Sequence, residues 1–182
     1  MSIEGKKVTL TGPTPVRLVE AGANAHDLYI KNSGRRMFIG TDAAMTDPTS
    51  YPVLSGNSVK RFTVPAGVDV YAMMPDTGAG SYPYTFNFLA VPFDGPSGTF
   101  SCARLPLSST ATSLNAVSAD PVAIEVTGFA RIGGSGITPS DGFDATSLAT
   151  YRVDPGEQLF IVEADFHPGD EAYTLVSTYI ER

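Results

Sequence analysis

The sequence predicts an all-β chain of two tandem small antiparallel β-sandwich domains related by internal duplication. Three observations lead there. Apolar residues recur in short alternating runs rich in β-branched and aromatic side chains, separated by Gly, Pro, Asn and Asp. No window of 11 or more residues carries helical apolar spacing free of Gly or Pro. The texture of residues 61–91 returns further along at a fixed offset of 89.

Taken in order, the runs of the first half predict strands at Lys7–Leu10, Val16–Val19, Asp27–Lys31, Met37–Ile39, Val59–Val64, Val68–Met73 and Tyr84–Val91. In the last run Tyr84, Phe86, Phe88 and Ala90 fall on one face and alternate with Thr85 and Asn87, the period of a half-buried strand. Breakers stand between the runs at Gly12-Pro13, Asn32-Ser33-Gly34, Asp47-Pro48, Pro65-Ala66-Gly67 and Asp76-Thr77-Gly78. The second half predicts strands near Thr99–Ala103, Val122–Val126, Ala130–Ile132, Leu148–Val153, Gln158–Glu163 and Tyr173–Ile180. Ala43-Ala44-Met45 and Leu114–Ala119 have room for one helical turn each.

The duplication aligns Val64 with Val153, Gly67 with Gly156, Gly80 with Gly169, and Tyr84 with Tyr173. Upstream, Leu28-Tyr29-Ile30 aligns with Val122-Ala123-Ile124 and Gly34 with Gly128, at an offset of 94. In each copy a strand runs into a Pro-containing turn, and Gly67 or Gly156 supplies the positive φ of a tight reversal. Six or seven short strands per copy favour a sandwich over a barrel. The expected organisation is residues 1–94, a linker at 95–98 and residues 99–182.

Composition narrows the function. The chain has 182 residues and 17% charged side chains, below the usual ~25%. No run approaches the ~20 apolar residues of a membrane span, and the N-terminus has no apolar signal region. A net charge of −7 argues against nucleic acid as a partner. Residues 1–95 carry 8 basic and 8 acidic side chains and all four lysines, whereas residues 96–182 carry 4 and 11. Cys102 is a single cysteine, which removes a disulfide framework and reads as a small buried side chain.

Catalytic chemistry is sparse, and the expectation is a non-enzyme without metal or other cofactor. His26 stands beside Asp27, and His167 lies in the loop Asp165–Glu171, but no Gly-x-Ser-x-Gly motif accompanies them. The same loop offers several oxygen ligands, conceivable for weak Ca²⁺ binding, in a spacing unlike an EF-hand; a solvated turn is the expected reading. Gly133-Gly134-Ser135-Gly136 lacks the Lys-Ser/Thr of a phosphate loop. Lys6, Lys7, Arg35 and Arg36 form the two basic doublets and are the candidate partner interface.

Leu28-Tyr29-Ile30-Lys31-Asn32-Ser33-Gly34, then Met37-Phe38-Ile39-Gly40, then Val64-Pro65-Ala66-Gly67-Val68-Asp69-Val70-Tyr71-Ala72 resemble small β-modules of tailed-bacteriophage virion proteins. The second copy departs from the pattern, with Val126 set against Asn32 and Ile161 against Ala72. The resemblance implies a non-enzymatic virion component made in the host cytoplasm. The expected role is a capsid decoration (cement) protein, oligomeric on the particle, with the major capsid protein or other virion proteins as partners and the near-neutral first copy toward the shell. A tail, neck or fibre-base component is the alternative. A carbohydrate-binding sandwich is the third reading, with Tyr51, Tyr82, Tyr84 and Phe166 as candidate platforms in a chain without Trp.

Overall fold

A computed structural model describes residues 3–32, 36–46, 50–53, 59–74, 83–145, 149–165 and 169–178. The described residues form strands and turns without a helix. The first eight strands are β1 (Glu4–Leu10), β2 (Val16–Val19), β3 (Ala25–Lys31), β4 (Met37–Gly40), β5 (Tyr51–Val53), β6 (Lys60–Val64), β7 (Val70–Met73) and β8 (Tyr84–Phe93). The next eight are β9 (Phe100–Pro106), β10 (Thr112–Ser113), β11 (Val122–Thr127), β12 (Ala130–Gly133), β13 (Phe143–Asp144), β14 (Thr150–Val153), β15 (Phe160–Glu163) and β16 (Glu171–Thr178).

The topology makes the duplication explicit. In the first copy one sheet has the order β1-β8-β3-β6 and the other β2-β7-β4-β5, all antiparallel. In the second copy the orders are β14-β11-β16-β9 and β10-β15-β12-β13, the same two sheets with each strand eight places later. Two four-stranded sheets wound in this order are a jelly roll. The chain is therefore two jelly rolls in tandem. Gly67 and Gly156 both lie in the left-handed region, at φ 83° and 85°, as tight turns require. Their amides donate to equivalent carbonyls, Gly67 to Gly22 at 2.8 Å and Gly156 to Ser118 at 2.9 Å.

Three strands were not foreseen. β5 carries Pro52 at its centre, which breaks the sequence signal, but β5 is a sheet edge and a missing N–H is tolerated there. β10 and β13 are two residues each, too short to show alternation. At Ala43–Met45 the chain makes a turn instead of a helical one, with the Asp42 carboxylate accepting from the Ala44 amide at 2.8 Å. Residues 114–119 bend without helix.

Strand pairing corrects the sequence alignment of the copies. Leu28 lies opposite Phe62, and Ile124 lies opposite Tyr151, so Leu28 answers to Ile124 and not to Val122. That slip of two keeps every side chain on its expected face. In the last strand the slip is three: Leu89 lies opposite Tyr29, and Leu175 opposite Glu125. An odd slip reverses the face. Tyr84 points inward with Phe86 and gives its hydroxyl proton to buried Asn32, whereas Tyr173 points out of its own copy.

The first core is filled by Leu10, Leu28, Ile30, Phe86, Phe88 and their neighbours between the sheets. The second is smaller, centred on Ile124, Val126, Ile132 and Ile161. Residues 95–98 are strapped down on both sides. The Ala66 amide donates to Pro96 O at 3.1 Å, and the Thr99 amide to Thr178 Oγ1 at 2.9 Å.

Candidate interaction surfaces

The two copies meet along one seam. The outer face of the sheet β9-β16-β11-β14 lies against β4 and β5 of the first copy. Alternation in β9, β11 and β16 sends Phe100, Cys102, Glu125, Thr127, Tyr173 and Leu175 to that outer face. Phe100 and Leu175 join the first copy's core cluster, so the apolar interior runs across the seam.

Polar groups of the two copies meet at the seam. The Tyr51 hydroxyl and Thr127 Oγ1 share a hydrogen bond of 2.8 Å, and the Tyr51 ring meets Phe62 edge-on at 6.5 Å. Lys60 Nζ stands 2.6 Å from Glu125 Oε2, and Thr150 Oγ1 donates to Glu125 Oε1 at 3.2 Å. Burial, and then the Glu125 charge, raise the Tyr51 phenol above its usual range and push the Cys102 thiol up to about 12. At neutral pH that thiol is protonated, which makes it a packing group and not a nucleophile.

The structure does not gather the candidate interface residues into one patch. Lys6 and Lys7 lie on the edge strand β1, where Lys6 pairs with Glu4 and Lys7 faces outward opposite Asn87. Arg36 leads into β4 on the other sheet, with its guanidinium over the rings of Phe38 (5.0 Å) and Tyr173 (5.2 Å). It belongs to the seam. Arg35, Gly80 and His167 lie outside the described residues, as do Tyr82 and Phe166. Gly169 has φ 78°, and its amide donates to Glu163 Oε2 at 3.0 Å. Tyr51, a candidate sugar platform, is 1% exposed.

His26 and Asp27 are sequence neighbours whose side chains leave β3 on opposite faces. Asp27 is buried on the outer face, accepting from Arg61 Nη2 through both oxygens at 3.0 Å and from the Thr63 hydroxyl at 3.3 Å. His26 lines an open depression at one end of the first sandwich with Glu4, Glu20 and Asn24. Its Nδ1 is buried without a hydrogen-bond partner among the described residues. Burial lowers the His26 pKa, against a smaller upward pull from Glu4. A lowered folded-state value means that the unfolded chain takes up the proton first as pH falls. The His26 contribution is therefore complete above the unfolded value near 6.5 and declines as pH drops through it toward the folded value. The denaturation midpoint of the wild type is expected to fall over that window more than that of His26→Gln, as followed by urea titrations at successive pH values.

Two exposed apolar areas stand out among the described residues. On the outer face of the sheet β1-β8-β3-β6, Tyr29, Lys31, Val59, Asn87 and Leu89 line a shallow depression. Sequence patterning missed it because Leu89 and Tyr29 occupy the positions where alternation expects polar residues. At the far end, Phe129 and Phe143 are exposed beside β12 and on β13.

Among known proteins, no family model matches the chain, and no curated protein matches it. Two solved structures are similar over nearly the whole chain. One is a cupin 2 conserved barrel domain protein from Leptotrichia buccalis, at 9% identity and TM-score 0.39, covering 98% of this chain and 89% of that one. The other is a conserved protein of unknown function from Pseudomonas aeruginosa PAO1, at 12% identity and TM-score 0.37, covering 97% of this chain and 76% of that one.

Proposed function

We propose that this chain is a non-enzymatic structural protein of a bacteriophage particle, a decoration protein that binds the assembled head and stabilises it. The observation that carries a structural role is the seam: the outer face of a jelly-roll sheet already works in this molecule as a protein-docking surface. The counterpart face of the first copy carries an exposed apolar depression around Tyr29, Val59 and Leu89. The divergence of His26 and Asp27 fits the same reading, since the one sequence-adjacent acid–base pair is split between two faces. The phage setting comes from the resemblance of the Leu28–Gly40 and Val64–Ala72 segments.

A module that binds only the assembled shell stabilises it by mass action. The near-neutral first copy faces the shell through the lysine-bearing edge strand β1, and the acidic second copy projects outward. Because the copies share a core at the seam, the test uses the full chain. Purified protein mixed with undecorated heads is expected to sediment with them at hundreds of copies per particle. Charge reversal at Lys6→Glu and Lys7→Glu together is expected to weaken retention severalfold, as rim charges do. Failure to sediment with heads overturns the decoration role, and a stoichiometry of a few copies per particle moves the chain to the tail or neck. Retention unchanged by the charge reversal overturns the orientation.

A further inference from the structure

The seam is used once inside the chain, yet its parts occur twice. Strand pairing defines the correspondence. Tyr29 faces Leu89 across β3 and β8 as Glu125 faces Leu175 across β11 and β16. Lys31 faces Asn87 as Thr127 faces Tyr173. The outer face carrying Tyr29, Lys31, Asn87 and Leu89 is thus the first copy's version of the face by which the second copy docks. On the opposing side, Ile39 lies between Ala72 and Tyr51 as Ile132 lies between Ile161 and Phe143. Phe143 therefore stands where Tyr51 stands, and Phe129 stands where Arg36 does.

Inside the seam, Leu175 is 2% exposed. Its counterpart Leu89 is 39% exposed, and Phe143, the counterpart of Tyr51, is 64% exposed. Each end of the molecule thus presents one half of an interface whose other half lies on the opposite end.

We propose that the β12–β13 edge of one chain docks onto the outer face of the sheet β1-β8-β3-β6 of a second copy, repeating the internal seam between molecules. Continuity with the internal seam identifies the occupant. Charge supports it. The receiving face carries Lys7 and Lys31 beside the internally paired Arg61 and Asp27, whereas β13 ends in Asp144, which Arg131 engages at 3.1 Å, and the adjoining turn holds Asp141. Phe143 lies over the Lys31 position, where an aromatic ring suits an alkyl stem and ammonium. Such a contact is heterologous, joining different surfaces head to tail, and it builds a ring or a chain.

The inference rests on the reading of the chain as a particle-building module, but its test needs no particle. Sedimentation velocity and native mass spectrometry on the purified chain are expected to show concentration-dependent assembly. Leu89→Asp and Phe143→Asp are each expected to weaken self-association by at least about tenfold, as loss of a central apolar anchor does. Mixed one to one, the two variants are expected to form a heterodimer and nothing larger, because each supplies the half the other lacks. Val59→Asp provides a second variant on the receiving face, and unchanged melting temperatures confirm folding. A wild type that stays monomeric, single variants that assemble like the wild type, or a mixture without heterodimer each overturn the proposal. Self-association without head binding removes only the decoration role; head binding without self-association removes only this contact.

Discussion

Truncating Tyr51 to alanine is expected to cost about 3–5 kcal/mol, the range for deleting a buried aromatic side chain. The ring is enclosed at the seam, edge-on to Phe62, and its hydroxyl is bonded to Thr127. Tyr51→Phe keeps the packing and loses the bond, so it is expected to cost about 1 kcal/mol. Urea titration separates the two if the slope stays constant while the midpoint shifts. Because Phe100 and Leu175 extend the first core across the seam, both jelly rolls are expected to unfold together in the wild type. A loss under about 1 kcal/mol for Tyr51→Ala would mean that the seam contributes little to stability.

The second large effect is at Lys60 and Glu125. The Glu125 side chain is buried, with the ammonium of Lys60 beside one of its oxygens. Lys60→Met strands that carboxylate and is expected to cost about 3–5 kcal/mol, most of it the desolvation of an uncompensated charge. Lys60→Met combined with Glu125→Leu is expected to recover most of the loss, because an apolar pair needs no partner. A double-mutant cycle measures the coupling directly. Additive losses would show that the pair is not coupled and that Lys60 acts through its contact with the Phe62 ring, 5.7 Å from the ammonium.

Much of this architecture was legible because two periodicities agree. Alternation in Tyr84–Ala90 and the Pro–Gly turns before Val68 and after Asp154 placed strands and hairpins, and their recurrence revealed the duplication. The eight-strand count was not legible. β5 hides behind Pro52, and β10 and β13 are held by their neighbours and not by any pattern of their own. Register also escaped, since Val122 and Ile124 are equally apolar and only pairing with β14 decides between them.

The interaction surfaces were the least visible part. A seam residue such as Glu125 reads as a solvent-facing charge until the other copy is set against it. Arg36 reads as a free cation until its two aromatic neighbours are seen. Conversely, Leu89 looks like one more apolar residue of a strand, and only its counterpart Leu175 shows what such a side chain is for.

The strapped segment at residues 95–98 has a topological consequence. Tandem modules joined by a loose tether readily trade one half with a neighbour, knitting molecules into swapped pairs. Here, straightening the connection would break the bond from Ala66 to Pro96 and open the core shared at the seam before any exchange could begin. Each polypeptide thus keeps its own two halves.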